Sequence, residues 1–189
     1  MIVYLGSGCH LVQYPLRRGE MLNTVAVFES PAYHRGEENW GGPEELEEVF
    51  AGCCPEVRRG LASLWRNRRW PMYDRLPIPN WVNGRLALTG DAAHPMLQYL
   101  AQGACQAIED AYCLAGEATA RPHPGAADWE TALKEYERTR TDRTARVQSS
   151  ARFWGDLWHV DGLARLIRNE LFRDRQPNDF KHLDWLYQA

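Results

Sequence analysis

The sequence predicts an α/β chain of α+β character, and three observations predict it. Two runs rich in β-branched and aromatic residues, 10–17 and 20–30, flank "RRG", which can turn the chain. A short continuous apolar run, "RLALTG", is bounded by Gly84 and Gly90. Residues 103–120 and 128–160 repeat apolar side chains every three or four positions.

A chain of 189 residues, 44% hydrophobic with eight tryptophans, can bury a core of its own; its mean hydropathy of −0.53 reflects Arg, Glu and Asp on helix faces. The net charge of −3 gives no electrostatic reason to expect nucleic acid. The densest basic run, "WRNRRW" at 65–70, has the look of a nucleic-acid strip but holds only four residues between its tryptophans, and reads as a solvated strand or loop. The five cysteines lack a CxxC pair and no histidine cluster has zinc spacing, which implies no metal and reduced thiols in a cytoplasm. No stretch reaches the ~18 apolar residues of a membrane span, and the amino end lacks an export signal.

In chain order, 10–17 and 20–30 form a hairpin. Pro43 opens a helix over "PEELEEVF", whose early acids suit the positive end of a helix dipole, and Pro55 restarts one over "PEVRRGLASL". "RWPMYDRLPIPNWVNG" (69–84) is too rich in proline for a helix and reads as an edge strand with an extended connector. Residues 85–89 then suit a strand buried on both faces of a parallel sheet. The helix from Gly103 to about Ala120 places Ala107, Ile108, Ala111, Leu114 and Ala115 on one face, and "RPHPG" ends it. The long helix aligns Trp129, Leu133, Tyr136, Val147, Ala151, Trp154 and Trp158, with a gap filled by Arg140 and Arg143. Its length suffices to pass beneath two domains, and the arginines read as ion-pair partners of acids on neighbouring elements. "GLARLIRNELFR" is a short helix and "FKHLDWLYQA" a tail whose exposed aromatics suit packing on another subunit.

The chemistry sits where the strand meets the helix. A buried strand ending in Gly90-Asp91 places a carboxylate at a sheet's carboxyl edge, where it can accept hydrogen bonds from a polyol; the plain alternative is that Asp91 caps a turn. The loop "HPMLQYLAQGA" then hands over to a helix beginning at Gly103-Ala104. Unpaired N–H groups there attract negative charge, and two nearly absent side chains let a flat ring approach the backbone.

"GDAAHPMLQYLAQGACQAIEDA" resembles the second flavin-binding motif of the single-component flavoprotein aromatic hydroxylases, the salicylate and hydroxybenzoate monooxygenases. "YERTRTDRTARVQ", "FWGDLWHVDGLARLIRNELFR" and "HLVQYPLRRGE" look most like the 3-hydroxybenzoate 6-hydroxylase branch. The resemblance implies an FAD- and NADH-dependent monooxygenase of aromatic catabolism that converts a hydroxybenzoate such as 3-hydroxybenzoate to gentisate. Asp91 would bind the ribityl chain of FAD, Pro95 would lie by the isoalloxazine, and the backbone of Gly103, Ala104 and Cys105 would face its N1 and C2 carbonyl. Reduced flavin is an anion at N1, which an aligned helix amino end stabilises.

In the resembling branch a histidine and a tyrosine, here His10 and Tyr14, line the substrate pocket, and Gln98 helps hold or deprotonate the phenol. The two residues are four apart on one strand, hence on one face. His10 can equally be an ordinary surface or core histidine and Tyr14 a packing aromatic. His94 reads as a loop residue whose backbone matters more than its ring. Asp74-Arg75 resembles an acid-base pair near the family's flavin, or is an exposed ion pair. Gln98 favours 3-hydroxybenzoate over salicylate, since many relatives outside the branch carry proline there.

Family members begin with Gly-x-Gly-x-x-Gly in a βαβ unit, and this chain holds no such sequence; "GSG" at 6–8 is expected to precede a strand rather than follow one. The chain thus resembles the carboxyl-terminal half of a hydroxylase: 1–80 part of the substrate-binding domain, 81–125 the end of the FAD-binding domain, 126–189 a helical segment. On its own it is expected to retain FAD feebly and to be inactive. Its expected partners are a small aromatic acid and either a second copy or a complementing flavin-binding half. The competing expectation is a catalytically inactive remnant or interaction module.

Overall fold

The computed structural model describes residues 1–120, 125–176 and 178–188. In chain order they form β1 (Ile2–Leu5), β2 (Cys9–Leu16), β3 (Met21–Phe28), α1 (Pro31–His34), α2 (Pro43–Phe50), α3 (Pro55–Ala62), β4 (Val82–Asn83), β5 (Leu86–Ala87), α4 (Gly103–Thr119), α5 (Ala126–His159), α6 (Gly162–Arg173) and α7 (Asp184–Tyr187). They divide into two compact units, Met1–Pro71 with Asp156–Lys181 and Met72–Gly155 with His182–Ala189.

The first unit is built on an antiparallel sheet in the order β1-β2-β3. The expected hairpin is β2 and β3, paired so that His10 lies opposite Val27 and Tyr14 opposite Asn23. Side chains alternate across β2: Cys9 and Leu11 pack on Phe50, Val57 and Leu61 of α2 and α3, while His10 faces Trp158 and His159. Gly60 lets α3 approach β2 closely, for a Cβ there would lie 2.8 Å from Gln13 Nε2. One strand was not foreseen. β1 pairs with β2, so "GSG" follows a strand as well as preceding one; it joins two antiparallel strands and opens no helix, and for that reason cannot cradle a pyrophosphate.

The second unit corrects several expectations. Only Val82–Asn83 of the proposed edge strand is a strand, because Pro71, Pro77 and Pro79 remove ladder donors along it. The run 85–89 is not a buried parallel strand: Leu86–Ala87 pairs antiparallel with Val82–Asn83 across a two-residue turn in which Gly84 is left-handed at φ +58°. Leu86 is 64% exposed, since no parallel neighbour flanks it among the described residues. On α4, Ile108, Ala111 and Ala115 face solvent and the buried side chains are Gln106 and Asp110, because the facing helix α5 presents charge there. The long helix forms as expected, but its first tryptophan, Trp129, is exposed and Ala132 takes the buried place. The helix α4 ends at Thr119, close to the expected Ala120; of "RPHPG", residues 121–124 lie outside the described residues. In the tail, Leu186 is buried and Trp185 lies beneath the Arg146 guanidinium at 3.9 Å, while Phe180 and Tyr187 are exposed. Among the described residues no helix is long and apolar enough to cross a membrane.

Candidate functional site

The strand-to-helix junction in the second unit is held by one buried carboxylate. Asp110 Oδ2 accepts from His94 Nε2 at 2.7 Å and from the Gly90 N–H at 3.0 Å, and Oδ1 accepts from Arg140 Nε at 2.8 Å. Burial opposes charge on Asp110, yet these hydrogen bonds outweigh it and hold the carboxyl below its ordinary range. Arg140 also reaches Gln106 Oε1 at 2.8 Å, and Arg143 grips both oxygens of Glu109 at 2.6 and 2.8 Å. The ion pairs expected of Arg140 and Arg143 are thus present, and they orient α4 on α5.

His94 corrects the expectation made for it. Its ring is fully buried, tilted against Trp81 at 5.4 Å, and bonded to Asp110; its Nδ1 is the one buried side-chain polar atom without a partner among the described residues. Asp74 and Arg75 do not pair with each other. Arg152 binds Asp74 at 2.8 and 3.0 Å, and Arg75 donates to the carbonyls of Ala92 and Ala93, fixing the backbone beside Asp91. Gln148 Nε2 donates to the Pro95 carbonyl at 2.9 Å, so the following loop is pinned to α5.

On this frame Asp91 sits exposed in a 3-10 turn, Gly90–Ala92, that no side chain caps. A Cβ placed on Gly103 would lie 4.0 Å from Asp91 Oδ1, so the carboxylate stands beside the amino end of α4. Gln102 offers no side-chain cap, and its carbonyl accepts the first helical bond from Gln106 N–H at 2.9 Å. The N–H groups of Gly103, Ala104 and Cys105 precede that bond and stay available, with Ala104 and Cys105 exposed. Such an arrangement can receive a flat, electron-rich edge on the helix end and hydroxyl groups on the acid. Gln98 is exposed on the intervening loop, in the turn Gln98–Leu100, and Pro95 is half-buried.

His10 and Tyr14 belong to the other unit. His10 is 1% exposed, with Nδ1 2.8 Å from His159 Nε2; burial, and then His159, lower its pKa to about 4. Tyr14 is half-buried on the same strand face. Sequence reasoning missed Asp110, Gln148 and His159 as site-building residues, and it named Arg75 only as a partner of Asp74. Asp110 lay inside the quoted motif, but its partner on α5 is thirty residues away in sequence and leaves no local signal.

Residues 32–151 match the family model described as FAD binding domain. Over 98% of its length the chain is 47% identical to 3-hydroxybenzoate 6-hydroxylase 2 of Aquipseudomonas alcaligenes, and it spans 57% of that protein. In structure it is similar to a salicylate hydroxylase substrate complex, with TM-score 0.75, 28% identity, and coverage of 99% of this chain and 46% of the other. It is also similar to HpxO of Klebsiella pneumoniae complexed with FAD and uric acid, with TM-score 0.70, 29% identity, and coverage of 91% and 43%. The chain therefore spans about half the length of the proteins it matches, and with the family model covering residues 32–151, more than half of the chain, and the junction built as described, it belongs to the FAD-binding domain family.

Proposed function

We propose that the chain carries the isoalloxazine-facing part of the flavin site and part of the substrate site of an FAD- and NADH-dependent aromatic-ring monooxygenase. Its substrate is a hydroxybenzoate, with 3-hydroxybenzoate converted to gentisate. The observation that carries this reading is the uncapped amino end of α4 with the Asp91 carboxylate beside it. Bound FAD supplies the redox and oxygen chemistry. The chain's own part is to bind and orient: Asp91 accepts hydrogen bonds from the ribityl hydroxyls, and the N–H groups of Gly103, Ala104 and Cys105 stabilise negative charge on the ring edge. Gly103, without a side chain, fits close approach of a planar group. His10 takes the phenolic proton, Gln98 holds the phenol oxygen, and Tyr14 borders the ring.

The 47% identity to a 3-hydroxybenzoate 6-hydroxylase, against 28% to the salicylate hydroxylase structure, favours the former substrate. The division into 1–80, 81–125 and 126–189, a cytoplasmic location, and assembly with a second copy or a complementing flavin-binding segment belong to the same proposal. The five free cysteines support a reducing compartment. A second reading, an inactive interaction module, is favoured by the exposed apolar face of α4, Ile108 at 70% and Tyr112 at 83%.

Titration of FAD fluorescence decides the cofactor: weak, saturable quenching by the chain that is lost in Asp91→Ala supports the reading, and no quenching in either sinks it. Adding the glycine-rich flavin-binding half of a relative and following NADH oxidation with 3-hydroxybenzoate or salicylate separates substrate choice from inactivity. The expected result is gentisate formation, reduced about 10²-fold or more by His10→Ala.

A further inference from the structure

Three backbone carbonyls of the loop that follows Asp91 are held by side chains from outside it. Arg75 Nη2 donates to the carbonyl of Ala92 and, at 2.9 Å, to that of Ala93, and Gln148 Nε2 donates to the carbonyl of Pro95 at 2.9 Å. The same Gln148 nitrogen reaches the Arg75 carbonyl at 3.3 Å. An amide nitrogen carries a hydrogen for each, so Gln148 joins the loop to the segment that holds Arg75. One turn later on α5, Arg152 binds Asp74 at 2.8 and 3.0 Å. The bonds close a circuit from α5 to 74–75, on to 92–95 and back to α5, and every member lies in the second unit.

The N–H groups of the same loop are used within the turn. Ala92 donates to the Thr89 carbonyl at 3.3 Å, and Ala93 and His94 donate to the Gly90 carbonyl at 2.9 Å each. What the turn presents to solvent is the Asp91 side chain, beside the amino end of α4. The backbone is fixed before Asp91 by Asp110, which takes the Gly90 N–H, and after it by Arg75 and Gln148. Arg75 is exposed, so water can replace its bonds. Gln148 is 4% exposed, and a bond lost there leaves buried carbonyls without a donor.

We propose that Gln148 is a positioning residue of the flavin site: its amide sets the Pro95 carbonyl against the Arg75 backbone and thereby fixes where Asp91 and Pro95 meet the cofactor. The inference deepens the function proposed above and rests on that reading. Gln148 acts only through the loop. A ligand that needs the Asp91 carboxylate and the N–H groups of α4 at once binds with little further loss of freedom when the loop is already ordered. Without the amide, that ordering has to occur on binding and subtracts from the affinity.

Titration of FAD fluorescence reads the flavin, and ¹H–¹⁵N correlation reads the amides of residues 91–94. Gln148→Glu keeps the shape of the side chain but turns an acceptor toward two carbonyls. It is expected to shift those amides and to weaken FAD binding about tenfold or more, the scale of a lost buried hydrogen bond. Lowering the pH from about 8 to about 6 protonates the introduced carboxyl, which burial holds above the usual range, and returns one donor, so affinity should recover in part. Gln148→Leu has no donor at either pH and should not recover. The charged and titratable neighbours Asp74, Arg75, Arg152 and His94 are common to both variants and cancel in the comparison. Thr144→Val, one turn earlier on α5 at a buried hydroxyl that donates to its own helix, controls for a general loss of stability and should leave FAD binding unchanged. Quenching that both Gln148 variants leave unchanged, or that Thr144→Val weakens as much, overturns the positioning role alone. Loss of the whole amide spectrum in both Gln148 variants makes the residue a folding determinant and also overturns it. No quenching by the unaltered chain overturns the proposed function, and this role with it.

Discussion

Asp110 Oδ2 and His94 Nε2 lie 2.7 Å apart where neither side chain reaches water. The second oxygen of the same carboxylate holds Arg140, so one group ties the junction loop, the start of the flavin motif and the long helix together.

Truncating that group leaves His94 Nε2 and the Arg140 Nε–H without their acceptor in a dry site, while Arg140 keeps Glu109 and Gln106. Asp110→Ala is expected to lower the stability of the second unit by about 3–5 kcal/mol. Asp110→Asn, which keeps an acceptor oxygen, should lose less. Urea denaturation followed by tryptophan fluorescence checks the order, which would be reversed if the carboxylate were a source of strain.

Gly155 of α5 makes room for the Tyr99 ring: a Cβ there would fall 2.7 Å from Cζ and 2.8 Å from Cδ2. Alanine at an unencumbered helical glycine stabilises by about 0.5–1 kcal/mol. Here overpacking outweighs that gain, and Gly155→Ala should destabilise by about 1–3 kcal/mol while displacing the loop that carries Gln98. Combining it with Tyr99→Ala should remove most of the strain, which a double-mutant cycle measures.

The buried His10 makes stability depend on pH in a defined direction. Its folded pKa, about 4, lies below the ordinary 6.5, so between these values the unfolded chain binds more protons and acid destabilises the fold. The contribution is fully present above pH 6.5 and is lost as pH falls toward 4, with a slope of up to about 1.4 kcal/mol per pH unit. His159, also depressed by burial, adds to the same slope. Denaturation midpoints across this range should flatten in His10→Gln.

Apolar character alone does not mark the core. Leu11 is fully buried, and Leu11→Ala should lower stability by about 2–5 kcal/mol. Ile108 is 70% exposed, and Ile108→Ser should change it by no more than about 0.5 kcal/mol. A large loss at Ile108 in the chain alone would mean that its face of α4 is covered, by a second copy or otherwise, which sedimentation would register.

By itself the sequence determined what local spacing controls. The β2–β3 hairpin, helices that begin at Pro43, Pro55 and Gly103, the 34-residue α5 and the small side chains at the amino end of α4 all follow from period, proline and glycine within a few residues. Tertiary structure alone decided which face of α4 is buried, because Arg140 reaches it from a helix thirty residues further along and makes Asp110 and Gln106, rather than Ile108, the inward side. It likewise decided that Leu86 is exposed, that the His94 ring is structural, and that His10 meets His159 across 149 residues. Each of these is a contact between groups remote in sequence, and its free energy depends on burial and partner geometry that no local pattern carries.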